Sequence, residues 1–186
     1  MRWAGSIAAL MICVLFGKSK AAALDIRYTI MHGFALDIRW LAAEMEYRPR
    51  DIKDMVRKLP QGPAAVFWQE FILNFPSASS AERAWEIAAK TCSDFDVLSA
   101  QELALITEAG RSIGIMNAED SAKMLKHWGE QAEKLAEELK VQEEELGKLF
   151  KKVTKKENVT VKLEKLKNKE ISSVITLSEE SRRMQD

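Results

Sequence analysis

Two glycines, Gly110 and Gly114, sit four residues apart in AGRSIGIMNAED, residues 109–120, a stretch that otherwise reads as helix. Glycine inside a helix costs about 1 kcal/mol relative to alanine, so the pair needs a use. A phosphate cradle would place glycines in a loop after a strand, ahead of a helix N-terminus and usually a Lys-Ser/Thr pair. No strand pattern precedes these two, and IMNAED follows them, so that chemistry is set aside. Packing remains. Both glycines fall on one helix face, where a missing Cβ lets another helix come close. Gly110 is predicted to admit that neighbour. Gly114 is predicted to be the left-handed cap that ends the helix, with Asn117 capping the next one.

Other chemistry-bearing residues are scattered. His32 and His127 each stand alone on a helix, with no H-E-x-x-H or similar ligand spacing near either. Glu44 and Glu46 are two apart and face different sides of a helix, so they cannot share a proton. The run EELKVQEEE suits the solvated back of a helix. Trp40, Trp68, Trp85 and Trp128 each fall on a different predicted helix among Leu, Ile and Phe, which favours core packing over a base-stacking platform. Cys13 and Cys92 suggest no disulfide framework. No catalytic, cofactor-binding or metal-binding residue is assigned. The expectation is a protein that is not an enzyme, with no cofactor. RPRDIKDMVRK, residues 48–58, is a candidate partner-docking patch through Arg50, Lys53 and Arg57, against the plainer reading of a solvated helix face.

Helices must position these residues. The 186 residues are 47% hydrophobic and 30% charged, with only 8 Gly and 4 Pro, which suits long helices better than a turn-rich sheet. Net charge is zero, so no bulk attraction to nucleic acid is expected. Ile26, Ile30, Phe34, Ile38, Leu41 and Met45 recur at steps of three and four and define one apolar face over 24–47. RPRD breaks that helix, and Asp51 is placed to cap a short one ending near Leu59. PQGP is a turn. AAVFWQEFILNF follows, ended by Pro76. Ser79 or Ser80 can cap AERAWEIAAK, and TCSDFDV connects it onward. Ser99 stands three before Glu102, a capping box for the helix carrying the glycines. Leu125, Trp128, Ala132, Leu135, Leu139, Gln142, Leu146, Leu149 and Val153 alternate steps of three and four, a heptad seam that also offers a surface for homo-oligomerisation. The predicted architecture is all-α: an antiparallel bundle of about six helices over 21–155, with a long C-terminal helix. The polar tail 156–186 is expected to be poorly ordered.

The N-terminus sets the compartment. WAGSIAALMICVLF, residues 3–16, carries no charge. As a helix it covers about 21 Å against a hydrocarbon core of roughly 30 Å, and Arg2, Lys18 and Lys20 can snorkel at its ends. Residues 1–20 are expected to form an N-terminal membrane anchor. Lys18, Lys20 and Arg27 outnumber Arg2, which would hold the following bundle in the cytoplasm. The rival is a signal peptide cut near Ala21-Ala22-Ala23, releasing a secreted helical binding protein.

The motif order resembles the stage III sporulation protein AB family, a relative of the cytoplasmic F-domain of type II secretion and type IV pilus platform proteins. Leu98, Glu102, Gly110, Gly114 and Asn117 fall on its L-x-x-x-D…L-G-x-x-L-G-x-x-D spacing, with Glu for the first Asp and Asn for the last. EMEY at 44–47 matches E-I-x-Y, and Ala84, Trp85 and Glu86 match its A-W-E helix. The resemblance covers residues 1 to about 153. The family ends in a second membrane segment, where this chain carries the polar tail. The resemblance implies a component of the cell membrane, and with the polar tail in place of the second segment a single N-terminal pass is expected. Its bundle would face the mother-cell cytoplasm and serve, among other membrane proteins of the mother cell–forespore channel, as a platform for an assembly ATPase.

Overall fold

A computed structural model describes the backbone of residues 2–47, 51–111, 113 and 118–183; the side chains of 2–18, 118, 154 and 156–183 lie outside the description. Among the described residues the chain is all-α, with six α-helices, one 3-10 turn and no strand. The helices are α1 (Arg2–Tyr47), α2 (Ile52–Val56), α3 (Ala65–Asn74), α4 (Ala81–Thr91), α5 (Ala100–Arg111) and α6 (Ala118–Arg183), and the 3-10 turn spans Ser93–Val97.

Local chemistry sets most boundaries. The Asp51 side chain accepts from the Lys53 amide and caps α2, which ends at Val56, short of Leu59. Of the two candidate serines, Ser80 caps α4 by accepting from the Arg83 amide at 3.1 Å. Ser99 and Glu102 form the capping box of α5: the Ser99 amide donates to Glu102 Oε2 at 2.8 Å, and the Glu102 amide to Ser99 Oγ at a long 3.4 Å. The connector TCSDFDV folds into the 3-10 turn, with Phe95 turned into the core. Gly114 and Asn117, proposed as cap and N-cap, lie outside the described residues.

The chain divides into two compact units, Lys18–Glu144 and a smaller one made of Met1–Gly17 with Glu145–Asp186. The larger unit holds an aromatic core. Phe34 of α1 stacks on Trp68 of α3 and meets Phe67 and Trp85 edge-on. Trp85 of α4 in turn touches Phe67, Trp68 and Phe71. Such pairs add about 0.5–1.5 kcal/mol each beyond the area they bury. Met31, Ile38 and Leu41 extend the same face of α1 into the core. Leu125, Ala132 and Leu139 of the heptad seam are buried, Trp128 and Leu135 half-buried and Gln142 exposed. In the smaller unit Leu149 and Val153 are exposed.

The backbone of α6 runs as helix to Arg183. No helix among the described residues is long and apolar enough to cross a membrane, so the expected N-terminal membrane segment gains no support. Most of that segment, residues 1–18, lies outside the described side chains.

Candidate functional site

Gly110 sits on α5 against the indole of Trp85, and a Cβ added there would overlap the indole atoms Cδ1, Cγ and Nε1, far inside van der Waals contact. The missing side chain lets α4 and α5 come together at this point. Trp85 Nε1 donates to the Ile106 carbonyl at 2.8 Å. In an α-helix that carbonyl is also the partner of the residue-110 amide, so the indole lies across one turn of α5. Trp85 is fully buried, and this hydrogen bond satisfies its polar atom.

One turn earlier on the same helix, Glu102 ties α5 to α1. Arg27 Nε donates to Glu102 Oε2 at 3.0 Å and its Nη2 to Oε1 at 2.5 Å, a two-point fork. Glu102 is 3% exposed. Burial alone would lift its carboxyl; the hydrogen bonds from Arg27 and Ser99, with the guanidinium charge, outweigh that and hold it below the usual carboxylate range. A second buried carboxylate, Asp37 of α1, accepts from Trp68 Nε1 at 2.6 Å. Here burial dominates over the hydrogen bond and pushes the Asp37 carboxyl up.

Both ties escaped the sequence reading. For Asp37 a signal was present: it stands on the face that carries Phe34, Ile38 and Leu41, where a carboxylate must be buried or break the stripe. For Arg27 and Glu102 none was, because a partner 75 residues away leaves no local pattern.

The remaining chemistry-bearing residues are placed as follows. His32 Nδ1 lies 3.1 Å from Glu133 Oε1 on α6 and its ring stacks on Tyr28. His127 meets Trp128 edge-on. No group of three or more His, Cys, Asp or Glu suited to a metal occurs among the described residues. Trp68 and Trp85 are core residues, and Trp40 and Trp128 pack half-buried against the core. Cys92 is a free, buried thiol whose ionisation burial pushes up. In the candidate basic patch, Lys53 Nζ lies 5.8 Å from the Phe75 ring centre and Arg57 is a loose 3.8 Å from Asp54. Arg50 lies outside the described residues.

The structure adds a surface that the sequence did not suggest. An open groove of about 470 Å³ runs between α1 and the 3-10 turn. Buried Ile30 and exposed Pro63 line it, together with Ile26 and Val97, 48% and 43% exposed. Asp25, Asp94, Thr29 and Ser93 supply its polar atoms.

These features define an all-α protein whose buried charged and indole groups join one helix to another. The chain belongs to the stage III sporulation protein AB family, whose model matches residues 2–154, and its role is in sporulation. Comparison with curated proteins and with solved structures gave no match.

Proposed function

We propose that this protein is a platform of the channel assembly between mother cell and forespore. Its helical bundle docks a cognate assembly ATPase and catalyses nothing itself. The N-terminal segment holds it in the cell membrane, and the bundle faces the mother-cell cytoplasm. The observation that carries this reading is the unbroken family match from residue 2 to 154, which spans both the N-terminal segment and the whole helical core. The use of the buried charges agrees with a scaffold: Asp37 and Glu102 are both committed to inter-helix hydrogen bonds. A platform must hold its surface rigid while a partner turns over, and such ties cost the fold heavily when broken. Titration of the full-length protein with the purified ATPase tests the reading. Saturable one-to-one binding is expected; no measurable binding by the wild-type chain removes the docking role.

A further inference from the structure

The groove between α1 and the 3-10 turn has the makings of a contact surface. Ile26 and Val97 are branched apolar side chains left nearly half exposed on either side of it. Among the described residues, those lining it include two carboxylates, Asp25 and Asp94, and no Lys or Arg. Asp96, exposed on the same turn, adds a third negative charge nearby. An anion such as a nucleotide would meet only repulsion from these carboxylates. A cationic side chain would find a partner at the rim, and an aliphatic one a place between Ile26 and Val97.

We propose that this groove is the docking site for a basic, aliphatic segment of the partner ATPase, with Lys or Arg against Asp25 and Asp94 and a branched apolar side chain between Ile26 and Val97. This rests on the platform reading above and assigns its contact to an acidic surface instead of the basic stretch at 48–58. The aliphatic anchor supplies most of the affinity, because desolvated central contacts dominate interfaces. The carboxylates supply orientation and association rate, and their share weakens with salt.

The test is a titration of full-length protein with the purified ATPase at about 50 and about 300 mM salt. Val97→Lys and Asp94→Lys place a cation where one is to be received. Both residues are outside the aromatic core, and an unchanged melting curve verifies the fold; Ile26→Ser stands in for either variant that melts early. Each groove variant is expected to weaken binding at least about tenfold, and wild-type binding to weaken at the higher salt. The comparator Lys53→Glu/Arg57→Glu is expected to stay within about twofold of wild type. Wild-type affinity in the groove variants, or a loss confined to the comparator, overturns the groove and leaves the platform standing. Absence of binding by the wild-type chain overturns both.

Discussion

Two buried carboxylates in one core are displaced in opposite directions from their ordinary values, and each direction follows from its partner. Glu102 faces a guanidinium; Asp37 faces an indole N–H, which carries no charge to offset desolvation. Glu102 has its carboxyl held below the ordinary 4.5, so its contribution to stability is present above that value and lost as pH falls through the depressed one. Asp37 has its carboxyl raised above the ordinary 3.8, so its contribution is fullest below 3.8 and lost as pH rises through the raised value. Glu102→Gln is therefore expected to lose about 2–3 kcal/mol near neutrality, leaving Arg27 without its counter-charge, and to lose less in acid. Asp37→Asn keeps an oxygen for Trp68 Nε1 and removes the ionisation. It is expected to melt higher than the parent at pH 7, with the gain vanishing in acid. Thermal melts of both variants across pH 3–8 check this. A lower melting temperature for Asp37→Asn at neutral pH would mean that the ionised carboxylate stabilises the core. Of this chemistry only the Ser99–Glu102 half was legible in advance, because capping acts over three residues, whereas the Arg27 and Trp68 contacts depend on how the chain folds back.

At the scale of elements, periodicity and caps carried most of the architecture. The apolar face over Ile30, Phe34, Ile38 and Leu41, the caps at Asp51 and Ser80 and the capping box at Ser99 are local signals, and the helices start where they put them. Local signals did not tell that TCSDFDV would form a 3-10 turn, since its order comes from burying Phe95 against Phe67. They also could not choose which helix Gly110 would meet: the sequence asked for a neighbour, and the fold supplied α4 through Trp85. This contact makes a definite prediction. Alanine is the better helix former by about 1 kcal/mol, yet Gly110→Ala is expected to destabilise by about 1–3 kcal/mol, because its Cβ must displace a fully buried indole hydrogen-bonded to Ile106. Trp85→Phe shortens the side chain at that point. Combined with Gly110→Ala it is expected to cost less than the sum of the single changes, a coupling that denaturant unfolding of all three variants measures. Strict additivity would place the cost elsewhere than in the α4–α5 contact.

For the whole molecule, the fold class followed from composition and periodicity, while the groove did not, because its walls come from residues about seventy positions apart, Ile26 and Val97. The compartment depends on another kind of signal again. The uncharged stretch 3–16 is followed by Lys18 and Lys20, which resist passage across a membrane. Those charges stand just before Ala21-Ala22-Ala23, where a signal peptidase would cut. Anchor and leader thus make opposite demands on the same residues, and the platform reading requires the anchor. Expressed at full length in a sporulating host, the protein is expected to pellet with membranes and to stay there through an alkaline carbonate wash that strips peripheral proteins. Its N-terminal sequence should then begin at Met1 or Arg2, and added protease should leave the bundle intact until the mother-cell membrane is opened. Replacing Lys18 and Lys20 by Ala is expected to weaken this orientation, with a fraction of the bundle becoming accessible from outside. A soluble form in the medium beginning near Leu24 would establish cleavage, and with it a secreted helical binding protein in place of a membrane-held platform.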